Sequence, residues 1–254
     1  MTALDTTQLE LKVKDMYRQV AHNPHGVFHF EMGQGIAERL GYPAEQLDRV
    51  PGAALESFAG VGYFFDLADL RPGDRVIDLG SGSGTDAFLA AALVGPSGRV
   101  VGVDFTPEQV EKARALAAEA GIGNIEFLEG RIEELPVEDG WADVVIANGV
   151  LNLVADKPRA FAEAHRALRP GGVLQFADIA VGREVPHAAR CDIELWTDCI
   201  AGGLSIDEWT DAIAAAGFID IAVGMPTDSF GGAAGETRAR EYAVTGHTFR
   251  AVAT

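Results

Sequence analysis

Three glycines alternate with serines in the run Val76-Ile77-Asp78-Leu79-Gly80-Ser81-Gly82-Ser83-Gly84, where an apolar β-branched stretch meets a turn and then a helical pattern. Glycines so placed let the backbone turn tightly and let a ligand touch main-chain atoms that any Cβ would shield. Asp104 closes the next apolar run, 24 residues beyond Gly80, where a carboxylate can accept hydrogen bonds from both hydroxyls of a ribose. Together these residues describe a nucleoside pocket at the carboxyl ends of parallel strands. A dinucleotide site asks for G-x-G-x-x-G close behind the strand. The near match that starts at Gly82 begins too late, which disfavours a nicotinamide oxidoreductase.

Asp78 narrows the choice further. A carboxylate at the strand end would oppose a pyrophosphate, yet it can order the turn and hold a cationic amino group. S-adenosyl-L-methionine carries such an ammonium and no phosphate. Asn148 and Gly149 leave a later strand at the edge of this pocket, so a substrate should lie over them, walled by Tyr63, Trp196 and Cys199. His25 and His29 are the candidate general bases, because imidazole most readily takes a proton near neutral pH. His22, His25 and His29 have mixed spacing on an aperiodic stretch and suggest no metal site.

The elements that must position these groups can be read from period and punctuation. Short apolar runs at Arg75–Leu79, Arg99–Asp104, Ile125–Leu128, Asp143–Ala147 and Val173–Ala177 alternate with helical patterns near 85–94, 107–120 and 157–168. Such alternation marks a parallel sheet covered by helices. Thr106 with Gln109 has capping-box spacing, as does Thr7 with Glu10 at the head of an amphipathic first helix. A helix is expected near 187–201 and another from Ser205, with Glu208 three residues on, to Gly217. Two final runs, Phe218–Val223 and Val244–Val252, are joined only by a loop and should pair antiparallel. Residues 1–70 read as a helical lid over a domain of residues 71–254, with Phe58–Phe65 a second aromatic, glycine-punctuated stretch.

Composition sets the outer bounds. The 20 Lys and Arg against 38 Asp and Glu give a formal charge of −18, which repels phosphate backbones and anionic membrane surfaces. Nucleic acid and membrane partners are therefore not expected, whereas a small-molecule substrate is. Cys191 and Cys199 cannot form a disulfide framework, lying about 12 Å apart if on one helix. With no signal-like or spanning segment, the expected location is a reducing cytoplasm.

Five stretches in order carry a resemblance. Asp78–Gly84, Gly102-Val103-Asp104, Gly130–Pro136, Asp143–Asn148 and Arg169–Gly172 resemble the ordered motifs of class I S-adenosylmethionine-dependent methyltransferases, over roughly residues 70–223. The resemblance implies an α/β fold: a Rossmann-like, seven-stranded, mostly parallel sheet with a reversed last strand and helices on both faces. It also implies roles. Gly80, Ser81, Gly82 and Gly84 hold the methionine part, Asp104 holds the ribose, Phe105 packs on the adenine, and Arg131, Ile132 and Glu133 meet the adenine edge. Within the superfamily, Ala147–Lys157 and Trp196–Leu204 look like the arsenite methyltransferase branch, whose enzymes hold trivalent arsenic through cysteine thiolates. This chain keeps Cys199 but has Gly149 where another would stand, and a soft trivalent centre needs at least two thiolates. The expectation is accordingly O-, N- or C-methylation of an enclosed small molecule, yielding S-adenosyl-L-homocysteine. The alternatives are arsenite or thiol methylation, and a cofactor-binding relative with a non-methylating or regulatory role.

Overall fold

The computed structural model describes residues 4–254. Strands β1 (Arg75–Leu79), β2 (Arg99–Asp104), β3 (Ile125–Glu129), β4 (Ala142–Asn148), β5 (Leu168–Val181), β6 (Phe218–Val223) and β7 (Val244–Ala253) form one sheet in the order β3-β2-β1-β4-β5-β7-β6. Neighbours pair parallel from β3 through β5, and β7 runs antiparallel to both β5 and β6. Chain order turns outward in opposite directions from β1, so a crevice opens at the carboxyl ends of β1 and β4, where ligands bind on such sheets.

Strand parity decides which side chains reach that crevice. Val76 of β1 and Val144 and Ile146 of β4 pack into one apolar cluster, while Ile77, Leu79, Val145 and Ala147 pack into the other. Asp78 and Asn148 share the parity of the first set and so emerge on the same face. That face is covered by α5 (Thr85–Val94), which beyond Thr85 and Asp86 in its first turn is apolar on all sides and almost wholly buried, as a helix sandwiched between a sheet and further chain should be. The further chain is the N-terminal region: α1 (Thr6–His22), α2 (Gln34–Arg39), α3 (Ala44–Leu47) and α4 (Gly52–Leu55). Helix α6 (Pro107–Glu119) packs beside α1. On the opposite face lie α7 (Lys157–Ala167) and α10 (Ile206–Ala215), whose Phe161 and Trp209 are buried against Phe176 and Phe249. Helices α8 (His187–Arg190), α9 (Ile193–Thr197) and α11 (Glu236–Glu241), with a single 3-10 turn at Leu151–Leu153, complete the described elements.

Four local expectations are corrected. Helix α1 is capped by Asp5, which accepts from the Gln8 amide at 3.0 Å, so Thr7 and Glu10 form no box and Glu10 is released for another partner. Thr106 occupies the N-cap of α6 without a side-chain bond, because Gln109 is drawn to Ser83 and to the Tyr17 carbonyl. The expected helix near 187–201 is two short ones: Asp192 restarts the chain by capping α9, and Cys199, at φ +58°, lies beyond its end. Strand β5 starts five residues before the expected Val173, since α7 runs directly into it and Pro170-Gly171-Gly172 is absorbed as a register shift against β4. By contrast, Ser205 and Glu208 complete a reciprocal capping box on α10. Among the described residues, no helix is long and apolar enough to cross a membrane.

Candidate active site

A cavity occupies the crevice, and its wall begins at the glycine turn. The Gly80 and Ser81 amides both donate to the Val103 carbonyl, at 2.8 and 3.1 Å, tying the turn to β2. Gly84 has φ +97°, and a Cβ there would sit 2.6 Å from the Phe127 ring, so only glycine serves. Gly80, Ser81 and Gly82 line the cavity, whereas Gly84 stands behind it as the packing residue that starts α5.

Asp78 is buried, faces the cavity, and has Oδ2 without a hydrogen-bond partner. Burial, with Asp86 and Asp104 nearby, pushes its carboxyl well above the usual range. A buried carboxylate oxygen with no donor is costly, and a ligand ammonium would both satisfy it and favour its ionised form. Asp104 accepts from the Gly82 amide at 2.9 Å and the Thr106 amide at 2.8 Å. Each oxygen keeps a second lone pair, available to ribose hydroxyls in the cavity that Asp104 lines. These residues fit S-adenosylmethionine: Asp78 for the ammonium and Asp104 for the ribose, with Gly80, Ser81 and Gly82 leaving room beside the turn for the methionine part. When bound, that cofactor supplies a methyl group on a sulfonium already activated for transfer.

At the nucleoside end, Phe105, Arg131, Ile132 and Glu133 all line the cavity. The Arg131 guanidinium does not reach inward freely, for it makes a bidentate pair with Glu10 of α1, at 2.7 and 3.0 Å, and a further bond to Glu133 at 3.3 Å. Helix α1 thus forms the outer wall, presenting Leu9, Val13 and Tyr17 to the cavity, with Lys14 lying 5.4 Å above the Phe105 ring. The same three residues carry the amphipathic period visible in the sequence, but nothing in that period says which surface the helix covers.

At the other end, Asn148 leaves β4 and is fully engaged. Its amide nitrogen, with two hydrogens to donate, lies 2.9 Å from Asp86, 2.9 Å from the Tyr42 hydroxyl and 3.1 Å from the Gly62 carbonyl, and its oxygen accepts from the Val61 amide at 2.8 Å. The Tyr42 hydroxyl donates to the other oxygen of Asp86 at 2.7 Å. Burial raises the Asp86 carboxyl to about 6 against these two stabilising bonds. Phe58, Ala59 and Gly60 close over the cluster, and a Cβ on Gly60 would lie 2.6 Å from the Asn148 amide nitrogen. Asp86 and Tyr42 were missed in the sequence. Asp86 falls within the stretch tested for a dinucleotide pattern, and its acidity there was the available signal.

Gly149 also lines the cavity, at φ +70°, with its carbonyl held by the Asn152 side chain at 3.0 Å. Asn152 is fixed in turn by Asp178, and buried Lys157 donates to the Asn152 and Val154 carbonyls while lying 4.8 Å from the Trp196 ring. Burial lowers the Lys157 ammonium to about 7. This network fixes the turn Leu151–Leu153, and Leu153 with the flanking Val150, Val154 and Ala155 completes the wall.

The remaining expected wall residues lie elsewhere. His25 is exposed, 4.0 Å from Glu56. His29 is packed edge-on to Phe30 with Nδ1 3.9 Å from Asp198, and burial lowers its pKa. Neither borders the cavity. Tyr63 bonds Gln46 at 3.1 Å within an aromatic group around Tyr42, and the Trp196 indole donates to the Arg190 carbonyl at 2.7 Å. Cys199 is buried behind the wall, and burial beside Asp178 and Asp198 pushes its thiol far up. Among the described residues no group of three or more His, Cys, Asp or Glu is placed to hold a metal ion.

Comparison with known proteins agrees with this geometry. A family model described as methyltransferase domain matches residues 70–217. An arsenite methyltransferase from Halobacterium salinarum is 40% identical over 193 residues, covering 76% of this chain and 49% of the relative. The human arsenite methyltransferase is 37% identical over 152 residues, 56% of this chain and 40% of that protein. The chain therefore spans about half the length of the curated relatives it matches. Among solved structures, an arsenic(III) S-adenosylmethionine methyltransferase from Chlamydomonas reinhardtii superposes with a TM-score of 0.66 at 33% identity, over 87% of this chain and 73% of that one. The chain belongs to the class I S-adenosylmethionine-dependent methyltransferases and stands close to their arsenite methyltransferase branch.

Proposed function

We propose that this chain methylates a small acceptor enclosed beneath α1 and residues 58–62, and that trivalent arsenic is the first acceptor class to consider. The observation that carries the arsenic reading is the likeness to arsenite methyltransferases in both sequence and structure. The chain's own residues add a condition. Gly149 offers no thiol, and Cys199 is buried outside the cavity lining with its thiolate disfavoured. Arsenic entering this cavity must bring its own sulfur ligands, because carboxylates serve a soft centre poorly. In this reading residues 1–70 act as a cap on the methyltransferase domain of residues 71–254, and His25 and His29 have no catalytic part.

The test has two steps. Calorimetric titration with S-adenosylmethionine and S-adenosylhomocysteine should show binding of both. Incubation with S-adenosylmethionine, arsenite and excess cysteine, followed by chromatography with arsenic detection, should then show methylated arsenic. Cofactor binding without any methylated arsenic would remove the arsenic reading alone.

A second reading, an acceptor with an O–H or N–H nucleophile, is favoured by one observation: the buried carboxylate of Asp86 on the cavity wall between Tyr42 and Asn148.

A further inference from the structure

We propose that Asp86 takes the proton from the methyl acceptor, and that the cavity selects neutral or cationic acceptors whose nucleophilic atom carries a hydrogen. The proposal rests on the second acceptor class above, and arsenic, attacking with a lone pair, would leave Asp86 no proton to take.

Charge around the cavity supports the selection. Its lining includes Glu10, Asp78, Asp86, Asp104 and Glu133 against a single Lys, Arg or His, namely Arg131, which is already paired with Glu10. A carboxylate or phosphate acceptor would meet uncompensated negative charge, whereas the cationic cofactor and a neutral or cationic acceptor would not.

Position supports the proton role. Asp86 lies in the first turn of α5 and is buried, yet it borders the cavity. Each of its oxygens has one fixed donor, the Tyr42 hydroxyl or the Asn148 amide, and retains a second lone pair for the acceptor. The groups facing it are Tyr42 from the segment after α2, Asn148 from β4 and Asp78 from β1. None is a cation that would hold it permanently ionised, and burial already favours proton uptake. A carboxylate kept only as a bridge between Tyr42 and Asn148 would need no access to the cavity.

The step balances. The acceptor atom X of X–H forms a bond to the methyl carbon, the carbon–sulfur bond breaks with its electron pair left on sulfur, and the X–H proton passes to Asp86. The sulfonium charge and the carboxylate charge thus disappear together inside a site of low polarity. When the cavity opens, Asp86 returns the proton to water.

Carboxyl-carbon NMR of the unloaded protein, compared with Asp86→Asn, should show a group that titrates near pH 6 and is lost in the variant. In Tyr42→Phe, which removes a donor to the carboxylate, it should move to higher pH. With phenol and aniline as probe acceptors, each carrying a hydrogen on its nucleophilic atom, kcat should fall on the acid side as Asp86 protonates. Asp86→Asn should reduce kcat at least about 100-fold, with S-adenosylhomocysteine affinity unchanged. If Asp86→Asn does not fold, an acid limb displaced upward in Tyr42→Phe supports the role and an unmoved limb overturns it. Full activity of Asp86→Asn overturns it, as do the absence of a carboxyl titrating near pH 6 that Asp86→Asn removes and the lack of turnover of both probes by protein that binds the cofactor. Turnover of arsenite alone would also overturn it while leaving methyl transfer intact. Failure to bind S-adenosylhomocysteine at all would instead strike the cofactor geometry.

Discussion

The two ends of one cavity are built differently. At the cofactor end, Asp78, Gly80–Gly84 and Asp104 come from two adjacent strand ends within 27 residues of sequence. At the proposed acceptor end, Tyr42, Gly62, Asp86 and Asn148 come from four separate segments joined by side-chain hydrogen bonds. Local backbone geometry constrains the first end, and only tertiary packing assembles the second. A cofactor shared across a superfamily can therefore leave a contiguous signature, whereas an acceptor site need not.

The comparison can be broken most severely at Gly84. Gly84→Ala places a Cβ 2.6 Å from Phe127 on a backbone at φ +97°, combining overpacking with left-handed strain. Together these cost about 2–5 kcal/mol. Urea unfolding should show that loss together with lost cofactor binding, since the helix start and the turn are one structure. Stability close to wild type would mean that the turn is not the rigid part of the site. At Asp104 the loss should fall on binding as well as on the turn, whose Gly82 and Thr106 amides lose their acceptor. Asp104→Ala removes a carboxylate anchored by two backbone amides and should weaken S-adenosylhomocysteine binding by about 1–3 kcal/mol, read by calorimetry. An unchanged affinity would show that the ribose lies elsewhere.

How much could be read before the structure follows the same division. All seven strands were legible because β-branched runs and glycine or proline punctuation are local, and so was the α10 cap formed by Ser205 and Glu208. The Thr106–Gln109 box was legible but unrealised, because Ser83 and the Tyr17 carbonyl compete for the Gln109 side chain. The candidate wall of His25, His29, Tyr63, Trp196 and Cys199 was chosen by chemical type along the chain. Those side chains found partners in the N-terminal packing or the α8–α9 region instead. Asp86 carries a local signal in its acidity, but its place on the cavity wall depends on α5 packing against Tyr42 and Asn148, a contact spanning 62 residues of sequence to Asn148.

Lys157 sharpens the contrast from the acceptor side, since it holds the turn beside Gly149 without entering the cavity. Its ammonium is lowered to about 7 by burial, below the ordinary lysine value that the unfolded chain would show. The folded state therefore binds fewer protons than the unfolded state between about pH 7 and 10, and stability rises with pH over that window. Urea midpoints measured from pH 7 to 8.5 should climb for the wild type and stay flatter for Lys157→Met. Parallel slopes would mean that Lys157 remains charged, with the polar turn satisfying it fully.

The smallest expected effect concerns the wall that α1 supplies. Glu10 and Arg131 are both nearly half exposed in their side chains, at 42% and 45%, so their pair contributes on the order of 0.2–1 kcal/mol and is screened by salt. If that pair fastens α1 over the nucleoside end, Glu10→Gln should weaken S-adenosylhomocysteine binding modestly at low salt, with little difference from wild type at high salt. Asp104→Ala should keep its deficit at both. The distinction is physical: an exposed latch works through screened charge, whereas a buried carboxylate on a strand end works through hydrogen bonds that salt barely reaches. Equal salt dependence in the two variants would mean that α1 covers the cavity through Leu9, Val13 and Tyr17 alone, and that the ion pair merely accompanies their packing.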